Sequence, residues 1–242
     1  MAADAERRAV IFVTGDWDAR AIQSLAADLK ARGGDPAAIG SGSIDMSPAF
    51  IKGVSGSLPN ARIAFDKFHV IAHTSTAVDK MRRIEQKTDP CLKGLHWKLF
   101  RDYDRLSPES RSKVDALVAH LTTRCTARAW VYRENLREIL HRKQINVVRG
   151  MLLQWATCVM RSKVEPMKEV ARQICNHLEG IVVWASTRLT HGFLEAISSL
   201  FPAAKREACG YGRFTTIRTV ILLIAGKLDF SKINPHVGVQ PT

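Results

Sequence analysis

Acidic residues are scarce in this chain. Over 242 residues, 23 Asp and Glu face 36 Lys and Arg, a formal net charge of +13. An excess of that size calls for a polyanionic partner, most simply nucleic acid; a merely basic soluble protein is the alternative. Paired cysteines are missing too. The five present, at positions 91, 125, 158, 175 and 209, are odd in number and scattered, with no C-x-x-C. That argues against a disulfide framework or zinc ribbon and fits a reducing cytoplasm. Long apolar runs are also absent. The longest, "VILLIA" at 220–225, is far short of the ~20 residues that span a bilayer and reads as the centre of a buried helix. The N-terminal "MAADAERRAVIFV" has no signal-peptide core, and no internal repeat or low-complexity tract occurs. The remaining balance, 46% hydrophobic and 24% charged, is that of a globular chain of one large or two small domains.

What is present begins with "AVIFV", residues 9–13, a continuous apolar run of the kind expected of a central parallel strand. In "DARAIQSLAADLKARGG", Ile22, Leu25, Ala26 and Leu29 mark one helical face, with Asp18 as N-cap and Gly33-Gly34 as the stop. "AIGSGSI" is a strand ending at Asp45, and "SPAFIKGV" a helix opened by Ser47-Pro48. "ARIAF" is a third strand, ending at Asp66. From Lys67 a helix carries Val70, Ile71, Thr74, Ala77, Val78, Met81 and Ile84 on its apolar side. Residues 9–86 thus read as three strand–helix units, which predicts a parallel sheet.

Residues 88–185 show only helical stripes. These are Val114, Leu117, Val118 and Leu121; Tyr132, Leu136, Ile139 and Leu140; Val148, Met151, Leu152, Trp155 and Val159; and one helix from Met167 through Ile174 to Val182. Trp97, Trp130, Trp155 and Trp184 are expected to pack this region's core. Two last helices follow, around Glu195 and Ile221.

Functional groups of such sheets gather at the carboxyl ends of strands, where Asp45 and Asp66 both fall. Clustered carboxylates repel, and a divalent cation reverses that term. Alternatively, each Asp caps the helix that follows it. Glu195 lies opposite the stripe of Leu194, Ile197, Leu200 and Phe201, and is either a third acid of the cluster or a solvated surface group. His69 and His73 share a helical face but lack the acidic neighbour of a zinc motif. "CGYGRF" reads as a turn between the last two helices. Arg82-Arg83, Arg142-Lys143 and Lys205-Arg206 are the densest basic pairs and candidate DNA-phosphate contacts.

"SIDMSPAFIKGV", "LPNARIAFDKFHVIAHTSTAVDKMRRIE", "LKGLHWKLF", "VEPMKEVARQI" and "THGFLEAISSLFPAAKREACGYGRFTTIRTVILLIAGKL" occur in that order. Together they resemble the DDE transposases of the ISL-three insertion-sequence family. The resemblance implies an α/β, partial ribonuclease-H-like core with a large all-helical insertion. Its implied divisions are 1–87 (core), 88–186 (insertion), 187–230 (helices completing the core) and 231–242 (loose tail). It also implies Mg²⁺- or Mn²⁺-dependent cleavage and transfer of double-stranded DNA at element ends, in the bacterial cytoplasm and nucleoid. Asp45 matches the second catalytic aspartate and Glu195 the catalytic glutamate, both as metal ligands. Asp66 and His69, in "FDKFHV", and His191, beside the glutamate, are placed in support.

Several positions depart from the family. The strand bearing its first catalytic aspartate would lie upstream of "AVIFV", and neither Asp16 nor Asp18 replaces that residue, since both follow the strand. His191 and Ser198 stand where the family has Asn. Pro202 falls inside the Glu195 helix, where proline costs about 3 kcal/mol. The expectation is a truncated copy with weak or no strand transfer. The alternatives are a non-catalytic remnant that binds DNA or intact transposase, and a chain whose open sheet edge prevents stable folding; the expected protein partners are a second copy of the chain, as a homo-oligomer, or full-length transposase.

Overall fold

The computed structural model describes residues 1–120, 124–189, 192–207, 210 and 212–228. In chain order the elements are β1 (Ala2–Asp4), β2 (Ala9–Phe12), α1 (Ala19–Ala31), β3 (Ser41–Ile44), α2 (Pro48–Ser57), β4 (Arg62–Phe65) and α3 (Lys67–Glu85). They continue with α4 (His96–Phe100), α5 (Pro108–Val118), α6 (Cys125–His141), α7 (Ile145–Met160), α8 (Glu165–Asn176), α9 (Leu178–Thr187), α10 (Gly192–Glu207) and α11 (Phe214–Ala225). The fold is mixed α/β and mostly helical, with two small sheets. No helix among the described residues is long and apolar enough to cross a membrane. Leu121, His191, Cys209, Tyr211 and the 231–242 tail lie outside the described residues.

The chain divides into two compact units. One comprises residues 1–40, 47–61 and 190–242; the other 41–46 and 62–189. In the first, β2 pairs antiparallel with β1. The expectation that "AVIFV" joins the later strands in one parallel sheet is therefore corrected. The cause is local. Asp4 Oδ1 accepts from the N–H groups of Glu6 and Arg7, both at 2.9 Å. This Asx-type turn, with Arg8 at φ 50°, folds the chain back on itself. Val10 and Val13 then pack with Ile197, Ile221 and Ala225, against Phe193, Leu194, Ile217 and Leu222. The "VILLIA" run buries one face only, because Leu223 is 53% and Ile224 50% exposed. Leu200, expected in the buried stripe of α10, is likewise exposed, and α10 continues through Pro202.

α1 follows its sequence signals. Asp18 accepts from Arg20 N at 2.8 Å. Gly33 takes φ 79°, while Gly34 N donates to Leu29 O at 2.8 Å, a helix stop that needs a residue tolerant of positive φ. α2 approaches α1 closely at Gly53, where a Cβ would lie 3.1 Å from Ala19 O.

In the second unit, β3 and β4 are parallel, in register Ser41↔Arg62 through Ile44↔Phe65. α3 packs on α4, α6 and α8, and α9 packs on β4. Glu85, on the last turn of α3, accepts from Cys125 N at 2.6 Å and Thr126 N at 2.7 Å. It thereby satisfies the orphan amides at the start of α6. The single helix expected from Met167 to Val182 is two helices, broken at His177 (φ −114°, ψ 19°). The break turns α9 onto β4, with Gly180 against the Phe65 ring and the His177 ring 5.1 Å from it. Trp130, Trp155 and Trp184 are buried as expected; Trp97 is 75% exposed, correcting its assignment to the core.

Candidate active site

The register of β3 and β4 places Asp45 and Asp66 side by side. Ile44 pairs with Phe65, so each aspartate is the first residue beyond the carboxyl end of its strand. Neighbouring strands lie ~4.8 Å apart, and the structure thus brings these two carboxylates to adjacent positions in one unit. Their surroundings differ. Asp66 is fully buried, and its Oδ1 accepts from Phe68 N at 3.0 Å, capping α3. Asp45 is half-buried and does not cap α2, because Ser47 occupies the cap position and Pro48 begins that helix. The two readings of the sequence therefore divide between the residues: Asp66 is a helix cap, and Asp45 is not.

Glu195 lies exposed on the first turn of α10, in the first unit, whereas Asp45 belongs to the second. Among the described residues no group of three or more His, Cys, Asp and Glu is arranged to hold a metal ion. The donor chemistry of Asp45 suits a hard cation such as Mg²⁺. The adjacent Asp66 has one oxygen engaged by a backbone N–H.

His69 is half-buried on the first turn of α3, its N–H donating to Asp66 O at 3.1 Å. His73 is one turn further on. Burial, and then the neighbouring His69, hold the His73 imidazole below its usual value.

The basic candidates separate by exposure. Arg82 is only 8% exposed, and both its Nε (2.9 Å) and NH2 (2.7 Å) donate to Asp79 Oδ1. Its place among the phosphate contacts is corrected, since its donors are spent inside the fold. Arg83 reaches Asp79 Oδ2 at 2.7 Å, but its side chain is 72% exposed. Arg142, Lys143, Lys205 and Arg206 are all exposed.

Three groupings were missed in the sequence. Asp79, 7% exposed, joins Arg82, Arg83 and His96, whose Nδ1 lies 2.6 Å from Asp79 Oδ1. Burial pushes the Asp79 carboxyl up, but His96 and Arg82 more than offset this and hold it below the usual carboxylate range. The Asp79–Arg82–Arg83 spacing, i, i+3 and i+4, is a legible ion-pair signal. Arg133, 2% exposed, donates to Ser75 Oγ at 2.9 Å and Phe100 O at 2.8 Å, and pairs with Glu134.

The third grouping borders Asp66. Lys67 Nζ lies 5.4 Å from the ring centroids of both Phe68 and Trp184, and the Arg188 guanidinium is 4.7 Å from the Trp184 centroid. Arg188, left-handed at φ 55°, donates to the carbonyls of Leu140, His141 and Arg142 and so closes the end of α6. Burial, and then Arg188, lower the Lys67 ammonium from its usual value. Burial, and then Lys67, do the same to His141.

The sequence profile of the ISL-three DDE family, described as transposase, matches residues 1–221. The chain is 24% identical over 176 residues to the transposase for insertion sequence element IS1001 of Bordetella parapertussis. The match covers 69% of this chain and 43% of that protein, so the chain spans under half the length of this curated relative. No solved structure matches. With the profile spanning most of its length, the chain belongs to the ISL-three family of DDE transposases.

Proposed function

We propose that the chain carries part of the catalytic apparatus for metal-dependent DNA strand cleavage and transfer, with Asp45 and Glu195 as the metal-holding carboxylates. The observation that carries this reading is Asp45: it ends a strand of a parallel pair, beside Asp66, without serving as the cap of α2. Mg²⁺ or Mn²⁺, when bound, supplies an activated water or 3′-hydroxyl and neutralises charge on the leaving oxygen. The chain's own part is to present hard oxygen donors from Asp45 and Glu195, while Asp66 fixes the start of α3 with His69 in support; His191, assigned in support of Glu195, lies outside the described residues. Residues 88–186 stand in the chain as a helical insertion between the two carboxylates, on a ribonuclease-H-like plan. Double-stranded DNA is the partner, met at backbone phosphates by Arg83, Arg142, Lys143, Lys205 and Arg206. A nucleoid location follows from that partner.

A second reading is favoured by one observation: Asp45 and Glu195 belong to different compact units. On this reading the chain is a non-catalytic partner of DNA or of intact transposase. Incubating the purified chain with Mg²⁺ or Mn²⁺ and a labelled terminal-repeat duplex separates the two. Nicking that Glu195→Gln abolishes supports the catalytic reading. Binding without nicking leaves the second.

A further inference from the structure

Lys67 and Phe68 directly follow Asp66, at the first two positions of α3. Phe68 is 55% exposed, at the second position of α3. Lys67 Nζ lies over the Phe68 and Trp184 rings, with the Arg188 guanidinium and the Asp66 and Asp102 carboxylates acting on its charge. A cation over aromatic faces gains some energy. Its placement is otherwise unfavourable, because it sits at the positive end of a 19-residue helix. Arg188, over the same Trp184 ring, adds a second cation. The indole Nε1 of Trp184 is buried and has no hydrogen-bond acceptor. Asp66, at this helix start, accepts from Phe68 N as its cap. Two cations, Lys67 and Arg188, next to the open face of Phe68 match what a nucleotide offers: a phosphate and a flat base.

We infer that Lys67 and Phe68, backed by Trp184 and Arg188, form a contact site for an unpaired DNA nucleotide, with the base stacking on Phe68 and its phosphate meeting Lys67. The base must be out of the duplex, since a paired base has no free face for a side chain to cover. The site would hold a frayed or displaced strand end next to Asp45 and Asp66. This inference rests on the DNA-processing reading above and adds the strand state of the DNA to it.

The test uses the full chain and fluorescence anisotropy with a labelled single-stranded oligonucleotide and its matching duplex, at low salt. Phe68→Ala is expected to weaken single-strand binding about tenfold, the worth of one lost base stack, and to leave duplex binding within about twofold. Phe68→Trp restores it. Lys67→Gln weakens single-strand binding and lowers the slope of log affinity against log salt by about 0.7. Because Phe68 is exposed, its variants are expected to melt as the parent does. The inference is overturned if Phe68→Ala leaves single-strand binding unchanged, or weakens both forms equally. If the parent chain binds both forms and Phe68→Ala changes neither, only this site falls. If the parent binds neither form, the DNA-processing reading falls with it.

Discussion

At the scale of single residues, two carboxylates that look alike in sequence do different work. Asp66 has an N–H to cap and is sealed in, whereas Asp45 leaves the capping to the Ser47 position. Asp79 has a structural consequence of its own, since it holds a buried arginine. Asp79→Asn is expected to destabilise the fold by about 3 kcal/mol at neutral pH, because it leaves Arg82 buried against a neutral partner. The carboxyl is held below its ordinary value in the folded chain. As pH falls through about 4, the unfolded chain therefore takes up the proton first. The Asp79 contribution is complete above that range and is lost on further acidification. Urea titrations of parent and variant should diverge at pH 7 and converge in acid; an equal gap at both would refute the assignment. The spacing of Asp79, Arg82 and Arg83 was readable in the sequence. That Arg82 lies inside rather than in solvent was not, because helical periodicity gives a face but not what covers it.

At the scale of elements, turn and cap chemistry were well marked, as the ends of α1 and the start of α3 illustrate. Strand partners were not. An apolar run such as "AVIF" is equally compatible with a central strand and with one arm of a hairpin. The decision was made by Asp4, whose turn hydrogen bonds lie outside the run itself. The helix break at His177 was also hidden, since no proline or glycine stands at that position. What permits the new direction is Gly180, where a Cβ would collide with the Phe65 ring. Gly180→Ala is expected to cost about 1–3 kcal/mol by overpacking and to lower the melting temperature by several degrees. Since Phe65 directly precedes Asp66, that substitution should also disturb the paired aspartates. A thermal melt unchanged from the parent would show that α9 can move off β4 freely.

At the scale of the whole molecule, the charge excess was the clearest functional signal in the sequence. If Arg83, Arg142, Lys143, Lys205 and Arg206 each meet a phosphate, affinity for duplex of arbitrary sequence should fall about 10²–10³-fold between roughly 50 and 200 mM salt. Anisotropy titrations across that range read the slope directly, and a shallow slope would mean that most of these side chains stay in solvent. Family membership was legible from ordered segments. The split of Asp45 and Glu195 between two units was not, because nothing local in either segment records it.

The interleaving of those units bears on how the chain is made. The first unit takes its strands from early in this sequence and its last helices from near the end of the described residues. Val10 and Val13 have no Ile197, Ile221 or Ala225 to meet until those residues leave the ribosome. At about 5–20 residues per second, the β1–β2 hairpin waits on the order of ten to forty seconds with its apolar side uncovered. For that interval the nascent chain is a client for any holdase that recognises short apolar segments.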